Sequence, residues 1–283
     1  MSFLSRTKKP SAKPPIITIV GSPGTGKTSL GALFPNALIL PTEDGTSVFE
    51  NWDEDIQPDV LPRLPKSAKD QNGNMSRSSR ETLMHIVDEL MTSDHEYKTF
   101  VVDSITTLDG LFGHEIALRD NVGTVADASG GFHKGYAEVM SWHADFIYKC
   151  EQLRAVKNMA VVFLAHTGVK KIRNSPDAAA DYSVFSLDMD TQSLSVYVSQ
   201  SDAVLYLEKE KFVTGQETNR KGQTTKFGRI TQTGVRKLIT TGDGHVGYVN
   251  AKNRYNMPAE MEVELGTNPV TQYIKFFNQE QQS

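Results

Sequence analysis

The stretch IITIVGSPGTGKTSL, Ile16 to Leu30, constrains this chain more than any other. Its first half is an apolar, β-branched run preceded by two prolines and closed by Gly21, so it reads as a buried strand. The spacing G-x-x-x-x-G-K-[ST] follows at once, from Gly21 through Gly26 and Lys27 to Thr28. A helix is expected from near Lys27 to near Pro35. Strand, glycine-rich turn and helix in that order point to βαβ units around a parallel sheet. Glycines let backbone N–H groups face phosphates, and the helix behind them points its positive end the same way. Gly21, Ser22, Pro23, Gly24, Thr25, Gly26, Lys27, Thr28 and Ser29 therefore form a candidate cradle for the phosphates of ATP. Lys27 is expected to reach the β- and γ-phosphates, and the Thr28 hydroxyl to ligate Mg2+.

The rest of the chain continues the alternation. NALILPTEDG reads as a second strand, YKTFVVDSIT as a third, NMAVVFLAHT as a fourth and SDAVLYLEKE as a fifth. Helical spacing appears in SRETLMHIVDELM, through Leu83, Ile86, Val87, Leu90 and Met91, with Ser79 as its expected cap. It appears again in TTLDGLFGHEIALRD and in YAEVMSWHADFIYKCEQLRAV. Residues 51–78 are polar and punctuated by prolines, and read as a surface excursion. Two further segments read as loops, NVGTVADASGGFHKG and GVKKIRNSPDAAADYSVFSLDMD. The last third looks like β-hairpin material turning at TGDGH, before a short helix at PVTQYIKFF. The expected fold is α/β, a mostly parallel central sheet flanked by helices with an antiparallel C-terminal edge. Residues 1–15 read as a flexible basic arm carrying Arg6, Lys8, Lys9 and Lys13, and 16–283 as one domain.

Composition narrows the setting. With 38% hydrophobic and 23% charged residues the chain can bury a proper core. A net charge of −4 gives no global basic signature, so any nucleic-acid surface must be local. The single Cys150 excludes an internal disulfide framework and a multi-cysteine metal site, and fits a reducing cytoplasm. No apolar run reaches the length of a membrane span.

Hydrolysis needs a metal carboxylate and a group that positions water. Asp103, ending the apolar run TFVVD, is the expected carboxylate of the Mg2+ shell, with Thr28. No acidic residue follows it on the strand, which argues against motors that carry a glutamate there. Glu43 at the end of ALILPTE supplies one instead, because carboxyl ends of neighbouring parallel strands converge on the ligand crevice.

A glutamate after the second strand, rather than beside the metal aspartate, resembles the RecA-like ATPases. VVFLAHTGVKK resembles the strand where those proteins carry a γ-phosphate-sensing glutamine, and His166 holds that position. VNAKNRYNMP resembles the late strand whose Lys-x-[Lys/Arg] pair reaches a neighbour's ATP, and Lys252 and Arg254 match it. The resemblance covers roughly Ile16 to Pro258. The short chain looks like the minimal RecA-like ATPases of bacteriophages that act in recombination with single-strand annealing proteins, in the host cell cytoplasm. It implies a RecA-like core, a homo-oligomer in a ring or helical filament with ATP at subunit interfaces, and single-stranded DNA held by the two loops. The candidate DNA contacts are Arg119, Phe132, His133 and Lys134 in the first loop and Lys170, Lys171 and Arg173 in the second. His166 departs from the pattern, since an imidazole adds a charge and a pH dependence that an amide lacks.

Other readings of the same residues stay open. They are an ATP-driven helicase or packaging motor, a P-loop kinase, and a nucleotide-switched scaffold. His85 and His143 are expected at the surface or half-buried, and Trp52 and Trp142 in packing. KGQTTKFGR, with Lys221, Lys226 and Arg229, reads as a basic hairpin edge.

Overall fold

A computed structural model describes residues 7, 11–173, 181–215, 217–218, 224–226, 229–242 and 250–278. Arg6, Lys8, Lys9, Lys221 and positions 243–245 of the TGDGH turn lie outside them.

The first strand, β1 (Ile16–Gly21), is buried at all its positions, as a strand covered on both faces must be. Then come α1 (Lys27–Ala32), β2 (Ala37–Pro41) and β3 (Asp59–Val60), followed by a small ribbon of β4 (Ala68–Lys69) and β5 (Met75–Arg77). Next are α2 (Ser79–Thr92), β6 (Thr99–Asp103), α3 (Ile105–Asp120), α4 (Lys134–Lys157), β7 (Ala160–Ile172), β8 (Tyr182–Leu187) and α5 (Thr191–Gln200). The chain continues through β9 (Ala203–Thr214), a second ribbon of β10 (Glu217–Thr218) and β11 (Thr224–Lys226), then β12 (Arg229–Ile239), β13 (Lys252–Asn253), β14 (Glu260–Glu262) and α6 (Lys275–Asn278).

The main sheet runs β14-β12-β9-β1-β7-β6-β2-β3. The six strands from β9 to β3 are parallel, while β12 and β14 run antiparallel at the edge. The expected α/β architecture with its antiparallel C-terminal edge is therefore the observed one. Strand β7 lies between β1 and β6, so the phosphate-loop strand and the Asp103 strand are not neighbours. Alternation along β1 divides the core. Ile16 and Val20 face the layer formed by α2, α3, α4 and α5, while Ile17 and Ile19 face α1 and the C-terminal Val270, Ile274 and Phe277. Among the described residues no helix is long and apolar enough to cross a membrane.

Four expectations are corrected. The segment after His166 is not irregular: β7 continues to Ile172 and pairs antiparallel with β8, making a hairpin that projects beyond the carboxyl edge of the sheet. Residues 191–200 form α5, which strand and loop patterns had not suggested. Its cap is Asp190, and Leu194 and Tyr197 are buried at helical spacing. The cap of α2 is Ser78 rather than Ser79: its hydroxyl accepts from Glu81 N, three residues on, at 3.0 Å. His143 is fully buried, with Nδ1 2.7 Å from Tyr197 Oη and Nε2 3.1 Å from Asp109 Oδ1. The excursion at 51–78 is also anchored, by Leu64 in the core.

Candidate nucleotide-binding site

Gly21 has no room for a side chain. A Cβ there would lie 2.6 Å from Leu207 O and 2.8 Å from Thr25 Oγ1. The chain then turns through Gly24 (φ +75°) and Gly26 (φ +95°), backbone that glycine alone adopts without strain. Thr25 closes the turn, its hydroxyl donating to Ser22 O at 2.8 Å. Pro23 is exposed and Ser22 half-buried in the turn, and Ser29 lies on α1 and lines a cavity beside the loop. Lys27 folds back into the loop, and its ammonium donates to Gly21 O (2.8 Å) and Ser22 O (3.3 Å). Burial lowers the Lys27 pKa, while the charges of Asp103 and Glu43 pull it the other way.

Asp103 ends β6, and its carboxylate Oδ2 accepts from Thr28 Oγ1 at 2.6 Å. The two expected metal groups are thus in contact across 75 residues of chain. Burial raises the Asp103 pKa despite the Thr28 hydrogen bond, and the nearby Glu43 charge adds to the rise. A half-buried hydroxyl and a buried carboxylate are hard oxygen donors suited to Mg2+, which takes one or two protein oxygens and completes its shell with phosphate and water. Among the described residues no cluster of three or more His, Cys, Asp or Glu side chains forms a metal cage. The donor set therefore fits a metal that arrives with a polyphosphate.

The ends of β2 and β6 are laced together. Thr42 N donates to Asp103 O (2.7 Å), Thr42 Oγ1 to Ser104 O (2.8 Å) and Ser104 N to Thr42 Oγ1 (2.8 Å). This lacing carries Glu43 to the Asp103 side of the loop. Glu43 Oε2 accepts from Thr107 Oγ1 (3.0 Å), and Glu43 Oε1 pairs with His166 Nε2 (2.9 Å). Burial would raise the Glu43 pKa, but the imidazole's hydrogen bond and charge and the Thr107 and Ser104 hydroxyls outweigh it and hold the carboxyl below the usual glutamate value. His166 is in register with Gly21 across β7 and β1. Its amide donates to Thr106 Oγ1 (2.9 Å), and its carbonyl accepts from Asp188 N (2.9 Å) at the base of the β7–β8 hairpin. His166 Nδ1 is buried with no hydrogen-bond partner among the described residues. Such an atom is costly unless a ligand or water meets it.

The fold does not bring Lys252 and Arg254 to this constellation. β13 pairs with the amino end of β9, Lys252 opposite Val204, while Gly21 is level with Leu207. Lys252 Nζ donates to Val198 O (3.0 Å) and Ser199 O (2.8 Å) at the end of α5. Arg254 Nη1 pairs with Asp202 Oδ1 at 3.1 Å, and Asp202 Oδ2 also receives Arg154 Nη2 and Ile16 N.

The candidate DNA contacts divide. Lys170 and Lys171 are exposed on the projecting strand of the β7–β8 hairpin and Arg173 just past its end, with Lys171 3.4 Å from Asp181. Phe132 is 93% exposed, His133 precedes α4 and stacks on Tyr136, and Lys134 opens the helix. Arg119 is not a free cation: its guanidinium is held by Glu138 and Asp120. The packing expected of the tryptophans holds, Trp142 against Phe112 and Trp52 against Phe49. Trp52 also lines a cavity of about 400 Å3 beside the loop, together with Gly26, Ser29, Leu33, Arg236 and Leu265.

Thr106, Thr107 and Arg236 escaped the motif reading. The two threonines could have been found, since they sit on the first turn of the helix that Asp103 precedes. Arg236 has no motif spacing, and only Gly234, two residues before it, marks a bulge there.

A family model described as AAA domain matches residues 13–255. The chain belongs to the AAA domain family. It is accordingly a P-loop ATPase domain, and the matched residues include the whole phosphate loop, Glu43, Asp103, His166, Lys252 and Arg254. No curated protein sequence matches this AAA domain. The segment Val263–Thr267, which lines the cavity beside the loop, lies outside the part of the chain that the family model spans.

Proposed function

We propose that this AAA domain is a RecA-like ATPase that hydrolyses ATP with Mg2+, assembles as a homo-oligomer and holds single-stranded DNA in support of strand annealing or recombination. The observation that carries the proposal is the Glu43–His166 hydrogen bond. It ties the group suited to positioning water to the residue from which the β7–β8 hairpin springs.

In this reading the loop N–H groups and Lys27 hold the phosphates, and Thr28 and Asp103 hold Mg2+, which supplies charge neutralisation when bound. Glu43 takes His166 on Oε1 and Thr107 on Oε2, with the Ser104 hydroxyl also close, and its four lone-pair sites still leave one for water. The carboxylate can therefore orient the attacking water and accept its proton while Thr107 and His166 fix its plane. His166 Nδ1 is the atom left to sense the terminal phosphate. A shift of the imidazole would be felt at the hairpin that carries Lys170, Lys171 and Arg173.

Lys252 lies about three strand positions, roughly 10 Å, from the level of Gly21, and Arg254, level with Asp202, about five positions, roughly 17 Å. Their service to an ATP site is therefore to a neighbour's, where a cation is worth ~10³–10⁵ in rate. A single-strand binding or annealing protein is the partner this reading implies.

The test is steady-state ATP hydrolysis by the purified chain alone, with single-stranded DNA and with double-stranded DNA. Stimulation by single strands is expected. Turnover indifferent to both would remove the DNA part of the proposal and favour a motor or kinase with another partner.

A further inference from the structure

The sheet register places Arg236 at the phosphate loop. Gly21 is level with Leu207, Leu207 with Leu238, and Lys209 with Arg236. Leu238 belongs to the core on the α1 face. Arg236, two residues before it, points to the same face but beyond the carboxyl edge of β1. There it covers Gly26: a Cβ built on Gly26 would have Arg236 Cζ, Nε and Nη1 as its nearest neighbours, at 3.3, 3.4 and 3.6 Å.

A bulge aims the side chain. Four residue steps on β12, from Gln232 to Arg236, face two on β9, from Lys211 to Lys209. Gly234 takes φ +87° within it. Thr233 Oγ1 accepts from Val235 N (3.2 Å) and donates to Glu210 Oε2 (2.9 Å), and Arg236 O accepts from Val263 N (2.9 Å). These bonds fix the backbone on both sides of Arg236.

Lys237 beside it is paired with Glu210 and Glu260. Arg236 is half-buried and has no side-chain hydrogen bond or ion pair among the described residues. A guanidinium partly withdrawn from water without an acceptor is unfavourable, and its five donors suit phosphate.

Asp103, Glu43 and His166 all stand on the β7, β6 and β2 side of β1, whereas Arg236 comes from the β9 and β12 side. The hydrolytic groups and this cation thus flank the loop from opposite sides. We propose that Arg236 is a nucleotide-binding residue that holds the phosphates nearer the ribose, those common to ATP and ADP, and that the Thr233–Val235 bulge positions it. The inference rests on the nucleotide site proposed above.

The experiment is titration of the full chain with a fluorescent ADP in Mg2+, for the wild type, R236Q, R236K and K27A, together with KM and kcat for ATP. R236Q should weaken ADP about 10–100-fold and raise the KM for ATP by the same factor, with R236K between it and the wild type. Wild-type ADP affinity in R236Q, alongside lost binding in K27A, would overturn the role of Arg236 and leave the site standing. A loss confined to kcat, with ADP affinity unaltered, would also overturn it. No binding by the wild type, or full binding by K27A, would bring down the site itself and the proposal with it. Thermal melts of each variant separate these outcomes from misfolding, and R236K keeps the charge and stem if R236Q is unstable.

Discussion

Glu43 Oε1 and His166 Nε2 lie 2.9 Å apart, joining the turn after β2 to the middle of β7, two strands that β6 separates. Thr107 takes the other carboxylate oxygen, so Glu43 is fixed in plane beside Asp103 rather than left as an acidic turn. Glu43→Gln preserves the shape and one acceptor but cannot take a proton from water. The variant should bind ATP with near wild-type affinity and lose about 100-fold or more in turnover. Steady-state rates paired with an equilibrium binding curve check this, and unchanged turnover would remove Glu43 from the mechanism.

The same contact sets a pH dependence. Burial pushes the Glu43 carboxyl up, and His166 does most to bring it below its usual range. A carboxyl with a depressed folded-state pKa stabilises the fold fully above its unfolded value and loses that contribution as pH falls through the folded value. His166→Ala removes the imidazole and leaves burial opposed only by hydroxyls. The acid limb of kcat/KM should therefore move to higher pH in His166→Ala and less so in His166→Gln, which keeps a donor. Rate profiles of the three proteins under identical Mg2+ and ATP cancel the titration of the nucleotide. Superimposed acid limbs would show that His166 does not control Glu43.

Asp103 has the opposite sign. Its folded-state pKa is raised, first by burial and further by Glu43. Ionising it costs the folded state stability as pH rises from the unfolded to the folded value, and the full cost is present once pH is above the folded value. Asp103→Asn keeps an acceptor for Thr28 Oγ1 and removes the buried charge. The variant should melt higher than the wild type without nucleotide and gain less from MgATP. The wild type gains about 2.7 kcal/mol at a hundredfold excess over Kd. Thermal melts with and without MgATP measure both changes, and a lower melting temperature in the nucleotide-free variant would refute the charge argument.

What could be read from the chain was what has a fixed spacing or a strong period. Gly21 to Thr28 carries its own geometry, Asp103 ends an unbroken apolar run, and Glu43 follows from the convergence of parallel strand ends. The β7–β8 hairpin was missed because Lys170 and Lys171 break the apolar pattern just where the strand leaves the core for solvent. Helix α5, TQSLSVYVSQ, hides behind β-branched residues that packing overrides: Leu194 and Tyr197 are buried against α4 and the sheet. The burial of His143 depends on Tyr197 and Asp109, partners 54 and 34 residues away. Arg236 needed a cross-strand register and a bulge, neither of which a lone arginine in a strand announces.

Lys252 has a cis role and a proposed trans role, and the two predict different things. In cis, its ammonium caps the carbonyls of Val198 and Ser199, and a cation at a helix end stabilises it by about 0.3–1 kcal/mol. Lys252→Ala should therefore fold with a small loss of stability whichever role is right. In trans, the variant should also lose turnover while retaining ATP binding, because its own phosphate loop is intact. Mixing decides the matter. A Glu43→Gln chain lacks the water-positioning carboxylate but keeps Lys252, and a Lys252→Ala chain keeps Glu43. Where the two meet in the right order, one interface holds both groups. Equal amounts of the two inactive proteins should recover part of the wild-type rate, with a dependence on total concentration that follows assembly. A Lys252→Ala chain active by itself, or a mixture no faster than its parts, would leave Lys252 as the cap of α5 and take the shared active site out of the proposal.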